Sequence, residues 1–119
     1  MKIAWVALAG MMAAGSVGAD TSAFDGRYKV YPDRPGCVVG EGDVENAAFE
    51  ISNGRYIGLE TECRLINPTN IRDMRAMLFD LQCMTEGTEW SDRILLMRKD
   101  DGSLLRVVDG MSFTNPPCE

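Results

Sequence analysis

Residues 63–93 read CRLINPTNIRDMRAMLFDLQCMTEGTEWSDR, and this stretch decides the fold. It carries Cys63 and Cys83 on two apolar runs that flank an Asn-Pro turn signal. In the run Met77–Cys83 every other residue is apolar, which is the two-residue period of a half-buried strand. The run Ile57–Leu65, which leads into the stretch, alternates in the same way. The pattern therefore predicts two antiparallel strands that place both cysteines on one buried face.

Residues 71–84 fit two interpretations. Asn70 can cap a helix, and the apolar residues that follow recur near helical spacing. Few of these residues are β-branched, which also favours helix. The alternation towards Cys83 favours a strand instead. We expect a helical turn near 71–75, followed by a strand from 76 to 84.

Further runs complete the predicted sheet, each with β-branched or aromatic residues between Gly, Pro, Asn or Asp. The six expected strands are Phe24–Tyr31, Ala47–Ile51, Arg55–Leu65, 76–84, Arg93–Lys99 and Leu104–Asp109. The links between them are mostly short. We therefore expect a mainly β domain, an antiparallel meander of about six short strands that can curl into a small barrel.

The hairpin signal Ser52-Asn53-Gly54 joins the second and third expected strands. A two-residue Asn-Gly loop would set the apolar face of one strand opposite Glu60 of the next. A three-residue loop, with Gly54 left-handed beside a bulge, pairs Phe49 with Ile57 and keeps both apolar faces together. We therefore expect the three-residue loop.

Residues 1–19 are typical of a secretory signal peptide. Lys2 precedes an apolar segment, and small residues end at Ala19, just before Asp20. The apolar segment is too short to span a bilayer comfortably, and no basic stop-transfer cluster follows it. We expect cleavage before Asp20, export to the periplasm and no membrane insertion after cleavage. Residues 20–119 then form a single disulfide-stapled β domain.

Four cysteines in a short exported chain indicate two disulfides, with three connectivities open. The shared inward facing of Cys63 and Cys83 favours a bridge between them, which leaves Cys37 to pair with Cys118. A zinc site is the competing interpretation. The chain has no histidine and no C-x2-C pair, so its composition disfavours zinc.

The chain is acidic, with 12 basic and 18 acidic residues and a net charge of −6. Lys2 is the only charge in the predicted signal peptide, so its removal leaves a net charge of −7. Nucleic acids and anionic membrane surfaces both require clustered Lys and Arg, and the composition argues against both as partners. Acidity favours solubility, and it would also attract a basic protein partner.

The chain is poorly equipped for catalysis. It has no histidine, so Ser-His and Cys-His pairs and the usual general base near neutral pH are missing. The carboxylates are expected on the solvated face of a sheet and in loops rather than in a cleft. We therefore expect no enzymatic activity, no cofactor and no metal.

Trp90 is the most distinctive side chain of the predicted domain. It stands in an expected loop, residues 86–92, which is otherwise polar and includes Glu86 and Glu89. An exposed tryptophan there would be an anchor for recognition of a partner. The alternative is that Trp90 packs back over one end of the sheet, as small cores recruit aromatic residues. Trp90, Glu86 and Glu89 are the candidate partner-binding residues.

The spacing of these residues resembles a group of uncharacterised four-cysteine exported proteins of Gram-negative bacteria. The resemblance covers residues 54–118 and rests on Glu60–Cys63, Asn67-Pro68 and the pattern C-x2-E-G-x2-W-x2-R that begins at Cys83. It implies an exported β-rich domain and assigns no activity. In size, acidity and disulfides the chain is also similar in format to periplasmic lysozyme inhibitors. It lacks the Ser-Gly-containing inhibitory motif associated with them, so no functional residue is carried over.

These features favour a soluble periplasmic protein that works by binding and not by catalysis. The most concrete version is an inhibitor of an envelope hydrolase, with a protein of the cell envelope as its partner. The alternative is a structural or envelope-maintenance component with no discrete ligand.

Overall fold

The structure is a computed structural model that describes residues 18–40, 42 and 44–118. Most of the predicted signal peptide, residues 1–17, lies outside the described residues. The described part of the chain is all β and contains no helix. Accordingly, none of these residues forms a helix long and apolar enough to cross a membrane.

The described residues form nine strands in one sheet, more than the six expected. The strands are β1 Gly26–Lys29, β2 Val38–Val39, β3 Ala47–Ser52, β4 Arg55–Gly58, β5 Thr61–Asn70, β6 Ala76–Thr85, β7 Thr88–Arg98, β8 Leu104–Val108 and β9 Met111–Asn115. The order across the sheet is β1-β3-β4-β5-β6-β7-β8-β9, and all of these pairs are antiparallel. Short β2 pairs with β3 in parallel. The predicted mainly β, antiparallel meander is confirmed.

The sheet is nearly closed into a barrel, because the chain after β9 returns to β1. Tyr28 forms an antiparallel bridge with Pro117. The Lys29 N–H donates to the Pro116 carbonyl at 2.8 Å, and the Cys118 N–H donates to the Arg27 carbonyl at 2.8 Å. The bridge between Cys118 and Cys37, with Cα atoms 6.1 Å apart, fixes this seam covalently.

The second disulfide joins Cys63 and Cys83, which lie directly opposite each other on β5 and β6 with Cα atoms 3.9 Å apart. A register shift between Ile66 and Thr69 and a turn centred near Asp73 bring them into line. The predicted pairing of all four cysteines is confirmed. Two disulfides indicate an oxidising compartment of the kind that exported proteins reach.

The expected helical turn at 71–75 is wrong. The Ile71 N–H donates to the Ala76 carbonyl at 3.1 Å, and the Met74 N–H donates to the Ile71 carbonyl at 3.2 Å. Asp73 adopts a left-handed conformation with φ 64°. The segment is therefore the tight turn of a hairpin, because β5 and β6 pair on either side of it and leave no residues for a helix. The strand expected from 76 to 84 is confirmed as β6, which ends one residue later.

The expected three-residue loop between β3 and β4 is also wrong. Asn53 and Gly54 have φ of 53° and 77°, and they form a two-residue turn that pairs Ile51 with Tyr56. Two consecutive left-handed residues match the twist of a hairpin, and glycine takes this conformation without steric cost. Tyr56, not Ile57, supplies the inward side chain.

The expected strand Arg55–Leu65 is two strands. Leu59 and Glu60 form the turn between β4 and β5, with Glu60 at φ 54°, and Gly58 pairs with Thr61. The turn resets the alternation, so Ile57 faces outward while Cys63 and Leu65 remain buried as expected. The apolar residues on both sides of Glu60 hide this turn from a periodicity argument.

The core is built around a stack of aromatic rings. Phe49 is fully buried between Tyr28 and Tyr56, with ring centroids 5.4 and 5.0 Å away. Near the end of the barrel where the chain enters, Phe24 meets Phe79 edge-on at 6.1 Å. Offset and edge-on ring pairs of this kind each add about 0.5–1.5 kcal/mol beyond area burial.

Candidate binding site

The two ends of the barrel differ. At one end, which we call the closed end, the segment before β1 packs onto the sheet: Phe24 is buried, and the Gly54 N–H donates to the Thr21 hydroxyl at 3.0 Å. The other end carries the turns after β4, β6 and β8, and we call it the open end. Exposed apolar side chains gather at the open end, where Trp90 and Tyr31 are 41% and 45% exposed.

The open end leads into a cavity of about 350 Å³, which we call the cup. This volume is at the lower end of the range for sites that take small molecules. Its lining is mostly apolar and includes Tyr31, Tyr56, Leu59, Trp90, Arg106 and Val108. Arg106 is the one charged residue among the described residues that line it.

Arg106 enters the cup because β8 places it on the same face as Leu104 and Val108, which point inward. Its guanidinium carbon lies 4.5 Å from the ring centroid of Phe49 and 4.9 Å from that of Phe113. Its Nε donates to Oδ1 of buried Asn115 at 2.8 Å, and Asn115 in turn donates to the Lys29 carbonyl at 2.9 Å. The guanidinium is therefore held in one orientation by two rings and an amide.

The charge of Arg106 has no carboxylate partner within the described part of the chain. The ion pairs found there involve other arginines, which lie on the outside of the sheet. Burial lowers the pKa of Arg106, and the nearby Tyr56 hydroxyl only partly offsets this effect. Removing a cation partly from water without a counter-ion costs free energy. The fold therefore carries a desolvation penalty for placing the Arg106 guanidinium in the cup.

Beside the cup, the β6–β7 hairpin projects past the rest of the barrel. The first pair between β7 and β8 joins Ile94 to Val108, so the preceding residues Thr88–Arg93 pair with β6 on one side only. We call Thr88–Arg93 the projecting segment. Its six residues are all exposed. Its other side is a free sheet edge within the described structure.

The alternation of backbone groups identifies which residues face this edge. The Arg93 N–H donates to Oδ1 of Asp92 at 2.8 Å, from which we infer that it faces away from β6. Successive residues of an antiparallel strand alternate between bonding the partner and facing away from it. Glu89 and Ser91 therefore also direct their N–H and C=O groups to the free edge. The Asp92 carboxylate occupies the Arg93 N–H. It does not occupy the N–H of Ser91, which we infer is available to an added strand.

Trp90 lies in this projecting segment of β7, so the expected loop over 86–92 is reduced to a turn at Glu86-Gly87. Trp90 is paired with Cys83 and shares its inward side. Its Nε1 donates to the Thr85 hydroxyl at 2.9 Å, which fixes the ring at the rim of the cup. The ring thus lies at one end of the sheet and stays 41% exposed, and its role in recognition stays a prediction.

Glu86 and Glu89 lie at the tip of the hairpin, and both are exposed. Glu86 also meets Glu60 on the neighbouring β4–β5 turn. The side chains of Glu60 and Glu86 share a hydrogen bond. This bond and the negative charge of Glu86 raise the pKa of Glu60 above its ordinary value of 4.5. The tip is therefore an acidic surface, where two carboxylates share one site.

A larger depression, of about 770 Å³, is lined by residues of β4, β5, β6 and β7. Three of its four charged residues have partners within the fold: Arg55 forms an ion pair with Glu62, and Arg64 donates to Gln82. The fourth, Glu89, is exposed at the hairpin tip. An open surface on which most charges are paired offers less to a ligand than the cup does. No group of three or more potential metal ligands is present among the residues that the structure describes.

Sequence reasoning missed Arg106 and Phe113. The alternating residues of this strand place Arg106 on the same face as Leu104 and Val108. Leu105 and Val107 make the other face apolar as well, so the sequence pattern did not show which face points inward. Phe113 lies in β9, which was not among the six expected strands. The Asp109-Gly110 pair, both left-handed, is the signal that would have revealed this hairpin.

The fold thus defines a disulfide-linked, nearly closed antiparallel barrel with an apolar cup at one end. No family model, no curated protein and no solved structure matches the chain. The resemblance to four-cysteine exported proteins therefore stays a prediction, and functional argument rests on the geometry of the open end.

Proposed function

We propose that this chain is a non-catalytic binding protein of the periplasm, and that its partner is a protein which adds an extended segment to the free edge of the projecting segment. The observation that carries the proposal is the one-sided pairing of Thr88–Arg93. An unpaired edge is a template for an added strand, and natural proteins usually cover or shorten such edges. Main-chain hydrogen bonds supply affinity in this mode of recognition, and flanking side chains supply specificity.

The side chains around the edge indicate what the partner segment carries. Trp90 offers a half-exposed ring that is held in place by Thr85 and is suited to anchor an apolar side chain. Glu86, Glu89 and Asp92 add negative charge. A partner segment with basic residues is therefore favoured, and screening by salt weakens its association. In the most concrete form of the proposal, the partner is an envelope hydrolase and binding inhibits it.

The absence of histidine from the chain supports a role without catalysis. The same projecting edge also argues for a discrete partner over the alternative of a structural envelope component. A purely structural role gives no reason for a free edge beside an anchored tryptophan.

Ser91→Pro tests the proposal. Proline removes the N–H at the centre of the free edge, yet it is tolerated on edge strands whose N–H faces away from the sheet. Ser91→Ala keeps the N–H and is the matched control. In a pull-down from periplasmic extract, we expect the wild type and Ser91→Ala to retain a stoichiometric, salt-sensitive partner, and Ser91→Pro to lose it while its thermal unfolding is little changed.

Three results would count against the proposal. Equal recovery of the partner by Ser91→Pro would show that the edge is not the binding surface. Recovery only of peptidoglycan or outer-membrane fragments would support the structural role. A turnover on an envelope substrate that one point change abolishes would overturn the non-catalytic assignment.

A further inference from the structure

Arg106 is partly buried and has no partner of opposite charge among the described residues. Its Nε is bonded to Asn115, and its side-chain hydrogen bonds within the described residues end there. Every side-chain nitrogen or oxygen that is sealed from solvent in the described structure has a hydrogen-bond partner. The Nη donors are therefore reachable from outside, and Arg106 lines the cup.

The shape of the donors indicates the chemistry of a ligand. A guanidinium presents parallel N–H groups that match the two oxygens of a carboxylate. Here the group is already oriented by Phe49, Phe113 and Asn115, so little side-chain entropy is lost on binding. Because its surroundings are apolar, an anion would be attracted more strongly here than at the surface.

The rest of the cup indicates what is attached to the anion. Tyr56, Val108 and Trp90 line the cup together with Arg106, and so do Tyr31 and Val44, which are 45% and 52% exposed. Exposed apolar side chains grouped around one cavity mark binding sites more often than scattered ones do. A ligand whose apolar body follows the anion would cover this rim.

We propose that the cup binds a small amphiphile, with a carboxylate head at Arg106 and an apolar body against Tyr56, Val108 and Trp90. This site shares Trp90 with the proposed partner surface, but its anion-binding group, Arg106, lies on β8, whereas the main-chain groups that bind the partner lie on β7. The inference therefore goes beyond the proposed partner function, and either can fail without the other.

The test uses the purified, oxidised protein and decanoate, kept below its micelle concentration, in calorimetric titration. Decanol provides a neutral ligand of the same length, and decyl phosphate separates a general anion site from one that prefers carboxylate. Arg106→Gln removes the charge. Arg72→Gln is the matched control, because Arg72 is an exposed arginine on the turn between β5 and β6.

We expect the wild type and Arg72→Gln to bind decanoate equally, and Arg106→Gln to bind it at least about tenfold more weakly, which corresponds to about 1.4 kcal/mol. Decanol should bind weakly and with the same affinity to all three proteins. Arg106→Lys should give an intermediate affinity, because lysine keeps the charge and loses the fork. Ser91→Pro should leave decanoate binding unchanged.

A measurement on the wild type alone covers the case in which Arg106→Gln does not fold. In NMR spectra, decanoate should shift the Nε–H signal of Arg106 and the indole signal of Trp90, whereas decanol should shift only the latter. The proposal is overturned if decanoate does not bind at millimolar concentration, if decanol binds as tightly, or if Arg106→Gln binds decanoate like the wild type. Preference for decyl phosphate over decanoate would overturn the carboxylate assignment.

Discussion

Phe49→Ala should be the most destructive single truncation in the barrel, because one ring supports both the core and the cup. Phe49 is 0% exposed, stacks on two tyrosines at 5.4 and 5.0 Å, and lies under the Arg106 guanidinium at 4.5 Å. Truncation of a fully buried phenylalanine costs about 4 kcal/mol, which includes the cavity left behind. Domains of this size have only about 5–15 kcal/mol of total stability.

Phe113→Ala is the matched control, because Phe113 also touches the Arg106 guanidinium, at 4.9 Å, but remains 37% exposed. Its loss leaves a dent that water can fill and not a closed cavity. We expect a cost of about 1–2 kcal/mol. Phe49→Leu keeps most of the apolar volume and loses the two ring stacks, so its cost should be about 2 kcal/mol.

Urea unfolding followed by tyrosine and tryptophan fluorescence measures the three variants. A loss of 4 kcal/mol should lower the urea midpoint by about 2 M and the melting temperature by about 15–30 °C. Equal losses for Phe49→Ala and Phe113→Ala, or a loss below about 1.5 kcal/mol for Phe49→Ala, would refute the reasoning. Either result would mean that the aromatic stack does not hold the barrel together.

Two further predictions concern the disulfides and the acidic tip. Loop entropy for sequence separations of 81 and 20 predicts that loss of the Cys37–Cys118 bridge costs about 4.5 kcal/mol and loss of the Cys63–Cys83 bridge about 3 kcal/mol, as upper estimates. Urea unfolding of the two paired Cys→Ala variants checks the order, and the reverse order would show that the barrel seam contributes less than the β5–β6 bridge. For the tip, the raised pKa of Glu60 means that the folded state binds its proton more tightly than the unfolded state. Stability from this group should therefore rise as the pH falls from neutral towards 4.5, and be lost as the pH rises through the folded pKa. Glu86→Gln should flatten that part of the pH–stability curve, and an unchanged curve would contradict the Glu60–Glu86 contact.

Below that range, other carboxylates act in the opposite direction. Hydrogen bonds from Asn67 and Arg93 lower the pKa of Asp80 from its ordinary value of 3.8. The contribution of Asp80 to stability is present above pH 3.8 and is lost as the pH falls through the folded-state pKa of Asp80. The tip and the outer face of the sheet should therefore be distinguishable by pH alone.

Strand period is a local property, and the sequence conveyed it well around Cys83. The alternation of Met77–Cys83 predicted β6, and it placed Cys83 on the same buried face as Cys63. That shared face was enough to choose the correct disulfide pairing. The turn pairs Asn53-Gly54, Glu86-Gly87 and Asp109-Gly110 all adopt left-handed conformations, as their sequences allow.

Register was where local reasoning failed. The pattern of apolar residues favoured Ile57 as the inward residue, but the structure turns Tyr56 inward, where its ring stacks on Phe49. That contact depends on Tyr28 as well, which is far away in the chain. A hairpin considered alone contains no information about the third ring.

The candidate sites also depend on tertiary structure. The sequence by itself determined a disulfide-stapled β protein and drew attention to Trp90. The free edge exists because β8 ends at Val108 while β7 continues, and the cup exists because the chain at Pro117 returns to Tyr28 and closes the barrel. Arg106 became a candidate only after that closure, because its burial and its lack of a carboxylate are set by strands that are distant in the chain and adjacent in space.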